Sequence, residues 1–371
     1  MRRWLAFLVV LQLAGCAGPG QPQQQQETIS VAAYLGAKPD PGFKRAIAPR
    51  RFSFPADHGA HPEYATEWWY FTGNLRTRTG REFGYQLTLF RVGLEAGQPA
   101  DDSDWRAQQL YMGHLAISDI DSERHYSAER ISRAAAGLAG ANSSPLRIWL
   151  GSWSITGKGD KSWPLHLRAD THEMAIDLLL DEGSKPLVLQ GEAGLSRKGA
   201  APGNASYYYS YTRLPTTGTI SLAGHEHVVE GDSWFDREWS SSALAADQEG
   251  WDWFALQLDD GRDLMFYRLR GRQGEAQPFS RGVLVGADGH VEQLSLENTI
   301  VEPLRTWTSK TGIAYPLEWR LQVAEHGIDV RVVAAFNAQE MRHTVHYWEG
   351  AVRVSGSHGG RGYLELSGYA R

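Results

Sequence analysis

An aromatic hairpin that occurs twice constrains the fold of this chain more than any other feature of its sequence. The first copy begins with the run at residues 67–75, and the second begins with a similar run at residues 251–258. A turn with a Gly-Arg-acid triplet follows each run, at residues 80–82 and 261–263, and an aromatic segment then returns. Because order, turn and return strand all match, the repeat predicts a duplicated β-domain.

Short strand-like segments separated by turns continue from residue 51 to the end of the chain, a spacing typical of sandwiches and barrels. The 371 residues exceed what one core usually supports, since chains longer than about 250–300 residues split into domains. We therefore predict an all-β protein of two consecutive antiparallel barrels, at residues 49–232 and 233–371. The best candidate for a helix is residues 127–139, although Gly137 weakens it.

The first sixteen residues have the features of a lipoprotein signal peptide. Arg2 and Arg3 precede an apolar run at residues 4–13, which is shorter than the roughly 20 residues that a spanning helix needs. The run ends in Leu-Ala-Gly before Cys16, the only cysteine, and resembles the lipobox of bacterial lipoproteins. We expect lipidation of Cys16, residues 17–48 as a tether, and an exported protein anchored in the outer membrane, facing the periplasm. An ordinary secretory signal is the alternative.

Composition and motifs exclude several classes of function. The net charge is −6 and no stripe of Lys and Arg appears, so we expect no nucleic-acid partner. His225 and His227 share one face of a strand, but the spacing supplies no third ligand, and we predict neither a metal nor a cofactor. No G-x-S-x-G motif supports a serine nucleophile.

A cluster of acids and tryptophans just before the second hairpin is the first candidate site. Its members are Trp234, Asp236, Arg237, Glu238 and Trp239. Burial against indole rings raises the pKa of a carboxyl group, whereas a neighbouring Arg keeps a carboxylate ionised. Asp236 and Glu238 could thus divide into an acid and a base. A purely structural ion-pair cluster between the domains is equally open.

Glu67 is the second candidate, because the second copy of the hairpin has Gly250 at the equivalent position. The repeat explains the aromatic residues but not this carboxylate. His114, on a predicted strand at residues 109–119, gains interest only if it faces Glu67 across a cavity. The simpler interpretation is a salt-bridged glutamate and a core histidine.

The ordered motifs resemble those of the AttH-type lipocalin-like proteins, a family that includes the carotenoid 1,2-hydratases. The motifs stand at residues 61–62, 67–73, 113–114, 207–210, 234–239, 251–253, 347–350 and 362–369. The resemblance implies two lipocalin-like barrels, export, and a place beside ABC-type export systems. Arg237 stands where the hydratases have a His, whereas Trp239 matches their motif.

The first functional hypothesis is a lipid-anchored protein that binds an elongated hydrophobic molecule, either a lipid or an isoprenoid, and serves an ABC-type exporter. Aromatic walls would hold the apolar part of the ligand, and charged residues would orient a polar end. The expected walls are Trp68, Tyr70, Trp234, Trp239 and Trp253, and the orienting residues are Glu67, Arg237 and Glu238.

The second hypothesis is a hydratase that adds water to a double bond of a lipid or carotenoid. Asp236 or Glu238 would donate the proton, and Glu67 or His114 would act as the base. Glycan binding through exposed Trp faces is a weaker third hypothesis. The depth of the rings discriminates between these ideas, because glycan platforms lie open and lipid pockets are deep.

Overall fold

The computed structural model describes residues 42–97, 107–159, 162–240, 244–245 and 247–370. The signal peptide, Cys16 and most of the expected tether therefore lie outside the described residues. The described chain is almost entirely β-structure, with two 3₁₀ turns at Ala56–His58 and Ala324–His326. Among these residues, no helix is long and apolar enough to cross a membrane.

The first half of the chain forms one antiparallel sheet of 13 strands. They are β1 (Thr66–Arg76), β2 (Glu82–Gly93), β3 (Gln109–Asp119), β4 (Arg124–Arg133), β5 (Ala139–Ser143), β6 (Leu146–Leu150), β7 (Trp153–Gly157), β8 (Leu165–Asp170), β9 (Met174–Leu180), β10 (Val188–Leu189), β11 (Leu195–Arg197), β12 (Ala205–Leu222) and β13 (His225–Ser240).

The second half forms a separate antiparallel sheet of 10 strands. They are β14 (Gln248–Leu258), β15 (Asp263–Gly271), β16 (Arg281–Val285), β17 (Val291–Ser295), β18 (Ile300–Thr308), β19 (Ala314–Val323), β20 (Ile328–Ala334), β21 (Glu340–Arg342), β22 (His346–Gly356) and β23 (Gly360–Ser367).

The two sheets share one topology. The first has the order β4-β3-β2-β1-β13-β12-β9-β8-β7-β6-β5, and the second has the order β17-β16-β15-β14-β23-β22-β20-β19-β18. In each, the aromatic hairpin is central and the last strand of the half pairs with the first. Both sheets curl into barrel-like domains, and in the first Arg130 of β4 donates to Ser152 at 2.6 Å, next to β7. The predicted all-β fold with duplicated barrels is confirmed.

Two details differ from the sequence-based expectations. β13 is one continuous strand whose residues 230–240 all pair with β1, so the first sheet extends through Ser240. The chain therefore passes from the first sheet to the second after Ser240, and not at the expected domain boundary between residues 232 and 233. Residues 127–133 lie in β4 and not in a helix, because their backbone pairs in register with β3.

Alternation along β1 and β13 divides their side chains between two buried environments. Trp69 and Trp239 point into the core of the first barrel, whereas Tyr70 and Trp234 point out of it. The outer side is also buried, because outer faces of the two sheets pack against each other through a shared apolar cluster. This packing explains why the aromatic run carries large rings on both faces.

Candidate functional site

A cleft lies between the outer faces of the two sheets. The first sheet and its loops line it with Trp68, Tyr70, Thr88, Phe90, Lys198, Tyr208, Asp236 and Glu238. The second lines it with Trp251, Trp253, Tyr267, Leu269, Tyr347, Glu349 and Glu365. About 710 Å³ of the cleft, counting its open mouth, is free of protein atoms. Aromatic side chains from both sheets form its walls, so the cleft is a narrow slot suited to a flat or extended ligand.

Two carboxyl groups lie directly opposite each other in this slot. Glu349 of β22 pairs in register with Glu365 of β23, so both side chains are on the same face of the sheet. Tyr70 donates to Oε1 of Glu349 at 2.6 Å, and Trp251 donates to Oε1 of Glu365 at 3.0 Å. Oε2 of Glu349 is buried and accepts no hydrogen bond from the described residues.

The pKa values of both carboxyls in this pair are raised above the ordinary value of a glutamate. Burial raises the pKa of Glu365 to about 8. The charges of Asp236 and Glu238 contribute to this increase, whereas the hydrogen bond from Trp251 opposes it. Burial, followed by the charge of Glu365, raises the pKa of Glu349 well above its usual range. Neutral carboxylic acids in an apolar slot can donate a proton.

Asp236 is a third buried acid of the slot, and its carboxyl group accepts three hydrogen bonds. Its Oδ1 accepts bonds from Ser210 at 2.6 Å and from Trp234 at 2.7 Å, and its Oδ2 accepts one from Tyr208 at 2.5 Å. Burial raises its pKa to about 7, although these three donors oppose the increase. Asp236 can therefore gain or lose a proton near neutral pH.

One part of the slot is ionic. Nζ of Lys198 lies 3.4 Å from Oε1 of Glu238 and 4.0 Å from the centre of the Tyr267 ring. It also donates to Ser196 at 3.0 Å. Burial lowers the pKa of Lys198, but the charges of Glu238, Tyr267 and Asp236, together with the hydrogen bond to Glu238, raise it above its usual value. Lys198 and Glu238 thus form a charged pair beside the neutral acids.

Glu67 does not line the slot. It points to the other side of β1, into the first barrel, where Arg91 and Arg237 both donate to its carboxylate. The backbone N–H of His61 donates to its two oxygens at 3.1 and 3.0 Å, and the His61 ring stacks on Trp239 with centroids 3.7 Å apart. Burial raises the pKa of Glu67, but the two arginines outweigh burial and hold the pKa well below its usual value.

His114 lies behind one wall of the slot and does not face Glu67. Its Nδ1 is 2.8 Å from the hydroxyl of Tyr347, and its Nε2 is 3.1 Å from Oε2 of Glu129. His114 therefore connects Glu129 on the outer strand β4 with Tyr347, which lines the slot. The pairing of the imidazole on both sides fixes the orientation of its ring.

The comparisons with known proteins decide the family. A model of the AttH-like family matches residues 45–369. The chain belongs to this family. A crystal structure assigned to AttH from Nitrosomonas europaea has a TM-score of 0.79 with this AttH-like chain at 33% identity, covering 88% of this chain and 100% of that one. The resemblance inferred from the motifs is confirmed.

Two more distant structures share the fold of this AttH-like chain. Kievitone hydratase from Nectria haematococca has a TM-score of 0.65 at 16% identity, covering 90% of this chain and 98% of its own. CghA, solved with Sch210972, has a TM-score of 0.51 at 13% identity, covering 92% of this chain and 98% of its own. A search of curated proteins returned no match.

Five of the residues singled out in the sequence meet in the slot of this AttH-like chain: Trp68, Tyr70, Asp236, Glu238 and Trp253. Trp234 borders it through its bond to Asp236. Arg237 and Trp239 do not line the slot and belong with Glu67 in the first barrel. Within the described residues, no group of three or more His, Cys, Asp and Glu is placed to hold a metal ion.

Glu349 and Glu365 are the functional candidates that the sequence did not single out, although both lie in motifs that carry the family resemblance. One feature of the sequence could have indicated Glu365. Leu364 and Leu366 alternate with Tyr363 and Glu365 along β23, so the strand is apolar on one face and aromatic-acidic on the other. A carboxyl next to a tyrosine, on the strand face opposite two leucines, indicates a covered face, but it does not name the partner.

Proposed function

We propose that this protein is a hydro-lyase that adds water to a carbon–carbon double bond of an extended apolar ligand in the slot between the barrels. The observation that supports this proposal most is the opposed pair Glu349–Glu365, two buried carboxyl groups in an aromatic slot. The shared fold with a protein named as a hydratase agrees with this proposal.

Glu365 supplies the proton. Its O–H bond breaks, the alkene π electrons form a new C–H bond, and the second alkene carbon becomes a cation. A donor with a pKa close to the working pH suits this step, and the pKa of Glu365 is raised to about 8. Aromatic rings line the slot, and such rings attract a positive charge within about 6 Å.

Asp236 accepts the second proton. A water oxygen bonds to the carbocation, and the water passes one hydrogen to the Asp236 carboxylate, which leaves a neutral alcohol. Alkene and water are consumed, one alcohol forms, and the cycle ends with Glu365 ionised and Asp236 protonated. The active form needs Asp236 ionised and Glu365 protonated, so activity should fall below pH about 7 and above pH about 8.

The proposal is tested by incubating the protein with acyclic carotenoids, squalene and unsaturated fatty acids in water enriched in oxygen-18. We expect a labelled alcohol by mass spectrometry, and a loss of about 10²–10⁴-fold in Glu365→Gln, the usual contribution of a general acid. Glu226→Gln changes an exposed glutamate on β13 and serves as the control. Turnover that Glu365→Gln leaves unchanged, or a product without label, would contradict the proposal.

Binding without turnover is the second candidate, and the narrow aromatic slot favours it equally well. Trp253 is only 6% exposed, which fits a deep apolar site and not an open glycan platform. Native mass spectrometry of the protein with the same lipid panel separates the two, because a carrier returns each ligand unchanged.

The membrane anchor and the exporter stay predictions. Cys16 lies outside the described residues, so the proposed lipidation rests on the lipobox-like sequence alone. We expect labelled palmitate to enter the full chain and the label to be lost in Cys16→Ser. Unlabelled wild-type protein would favour the ordinary secretory signal.

A further inference from the structure

We propose that Glu129, His114 and Tyr347 form a proton relay that returns protons from solvent to the acid pair Glu349–Glu365. The inference rests on the proposed function, because that cycle ends with Glu365 ionised. It adds a route and three positioning residues that the cleft alone does not reveal.

The outer end of the route is open to water and held in place. Glu129 lies on the edge strand β4, with its side chain 15% exposed. Its Oε1 accepts a hydrogen bond from Thr344 Oγ1 at 2.7 Å, and its Oε2 lies 3.1 Å from Nε2 of His114. Glu129 can thus exchange protons with solvent while it stays in contact with the imidazole.

The middle of the route crosses from the first barrel to the second. His114 belongs to β3 and its side chain is fully buried, and its Nδ1 lies 2.8 Å from the hydroxyl of Tyr347 on β22. An imidazole with one partner on each nitrogen can take a proton on one side and release one on the other. The contact between the barrels is therefore also a possible path for a proton.

The inner end of the route is the contact between Tyr347 and Glu349. Tyr347 and Glu349 lie two residues apart on β22, and their side chains are on the same face. The Tyr347 hydroxyl is close enough to oppose the increase in the pKa of Glu349. Within the described part of the chain, Oε2 of Glu349 is buried and accepts no hydrogen bond. Rotation about the C–O bond of Tyr347 would turn its hydrogen from His114 to this oxygen.

One proton moves inwards in balanced steps. Glu349 first passes its proton to the opposite, ionised Glu365. Tyr347 then gives its proton to the Glu349 carboxylate, Nδ1 of His114 gives one to the Tyr347 oxygen, and Nε2 takes one that Glu129 has gained from water. The hydroxyl and the imidazole tautomer then reset. Glu349 is only 2% exposed even without a ligand, so a route from behind the wall gives its proton an access to solvent that does not use the slot.

The test follows the proton itself in the full chain, without a substrate. Infrared spectra at neutral pH should contain a carbonyl band of protonated Glu349, assigned by its loss in Glu349→Gln. After dilution into D₂O, we expect Tyr347→Phe and His114→Gln to slow the isotope shift of this band by about tenfold or more. Added imidazole should restore the rate in His114→Ala, which a purely structural role of His114 does not predict.

His343→Gln is the matched control, because the His343 ring lies 5.7 Å from that of His114 but is not a member of the chain. Its exchange should match that of the wild type. An equal rate in wild type, Tyr347→Phe and His114→Gln would overturn the relay and leave the proposed function standing. Absence of the band at neutral pH would overturn both, whereas slowed exchange without any hydration would support the relay alone.

Discussion

Two groups of buried glutamates in this protein differ mainly in their neighbours. Glu67 is fully buried in the first barrel, and Glu349 is 2% exposed in the slot between the barrels. Arg91 and Arg237 hold the pKa of Glu67 well below its usual value, whereas burial raises the pKa of Glu349 well above it. Burial penalises the charge in both places, and only a paired cation reverses the result.

The same contrast separates a structural role from a chemical one. Arg91 donates to Glu67 and also to the backbone carbonyls of His61 at 3.0 Å and Tyr64 at 2.6 Å, so the ion pair fastens the segment before β1 to the barrel. Burial and neighbouring carboxylates raise the pKa values of Glu349 and Glu365, and only hydrogen bonds from neutral donors oppose the increase. A carboxyl that is neutral and adjacent to a cavity can transfer its proton.

The largest effect on stability should come from Glu67→Gln. The change leaves Arg91 and Arg237 buried without their anion, which typically costs about 3–5 kcal/mol of unfolding free energy. Urea denaturation at pH 7 measures the loss. Since the folded pKa of Glu67 is lowered, its contribution is present above the unfolded value of 4.5 and is lost as pH falls through the lower folded pKa. A loss below about 1 kcal/mol would show that the pair contributes little.

A smaller effect of opposite sign is expected for Glu365→Gln. The folded pKa is raised to about 8 from 4.5, so ionisation of the unfolded chain weakens folding progressively between these two pH values. A neutral amide removes this cost and should stabilise the protein by about 1–3 kcal/mol at pH 7, with no gain at pH 4. Denaturation at both pH values checks the sign, and a loss of stability at pH 7 would contradict the assignment.

The fold could be predicted largely from local pattern. The hairpin of β1 and β2 pairs from Thr66 with Val92 to Arg76 with Glu82, as the aromatic run, turn and return strand indicate. Strand β3 has the predicted bounds, Gln109–Asp119. These features succeed because apolar periodicity and turn residues are properties of neighbouring residues.

The candidate site could be predicted only in part, because it forms between two sheets. Alternation in β1 separates Glu67 from Trp68, but the sequence does not say which side faces another domain. Glu349 and Glu365 reach Asp236 only through the packing of outer faces, a contact between residues more than 100 positions apart. The interpretation of β4 as a helix failed for a similar reason, since pairing with β3 decided its structure.

A carboxyl titration by carbon-13 NMR tests the central claim most directly. Glutamate labelled at the side-chain carboxyl, with Glu365→Gln and Glu67→Gln to assign the signals, reports each group across the pH range of the folded protein. We predict that Glu365 titrates near pH 8 and that Glu67 stays ionised down to the acid limit of the fold. A Glu365 signal that titrates near its ordinary value of 4.5 would contradict a neutral acid in the slot, and with it the proposed chemistry.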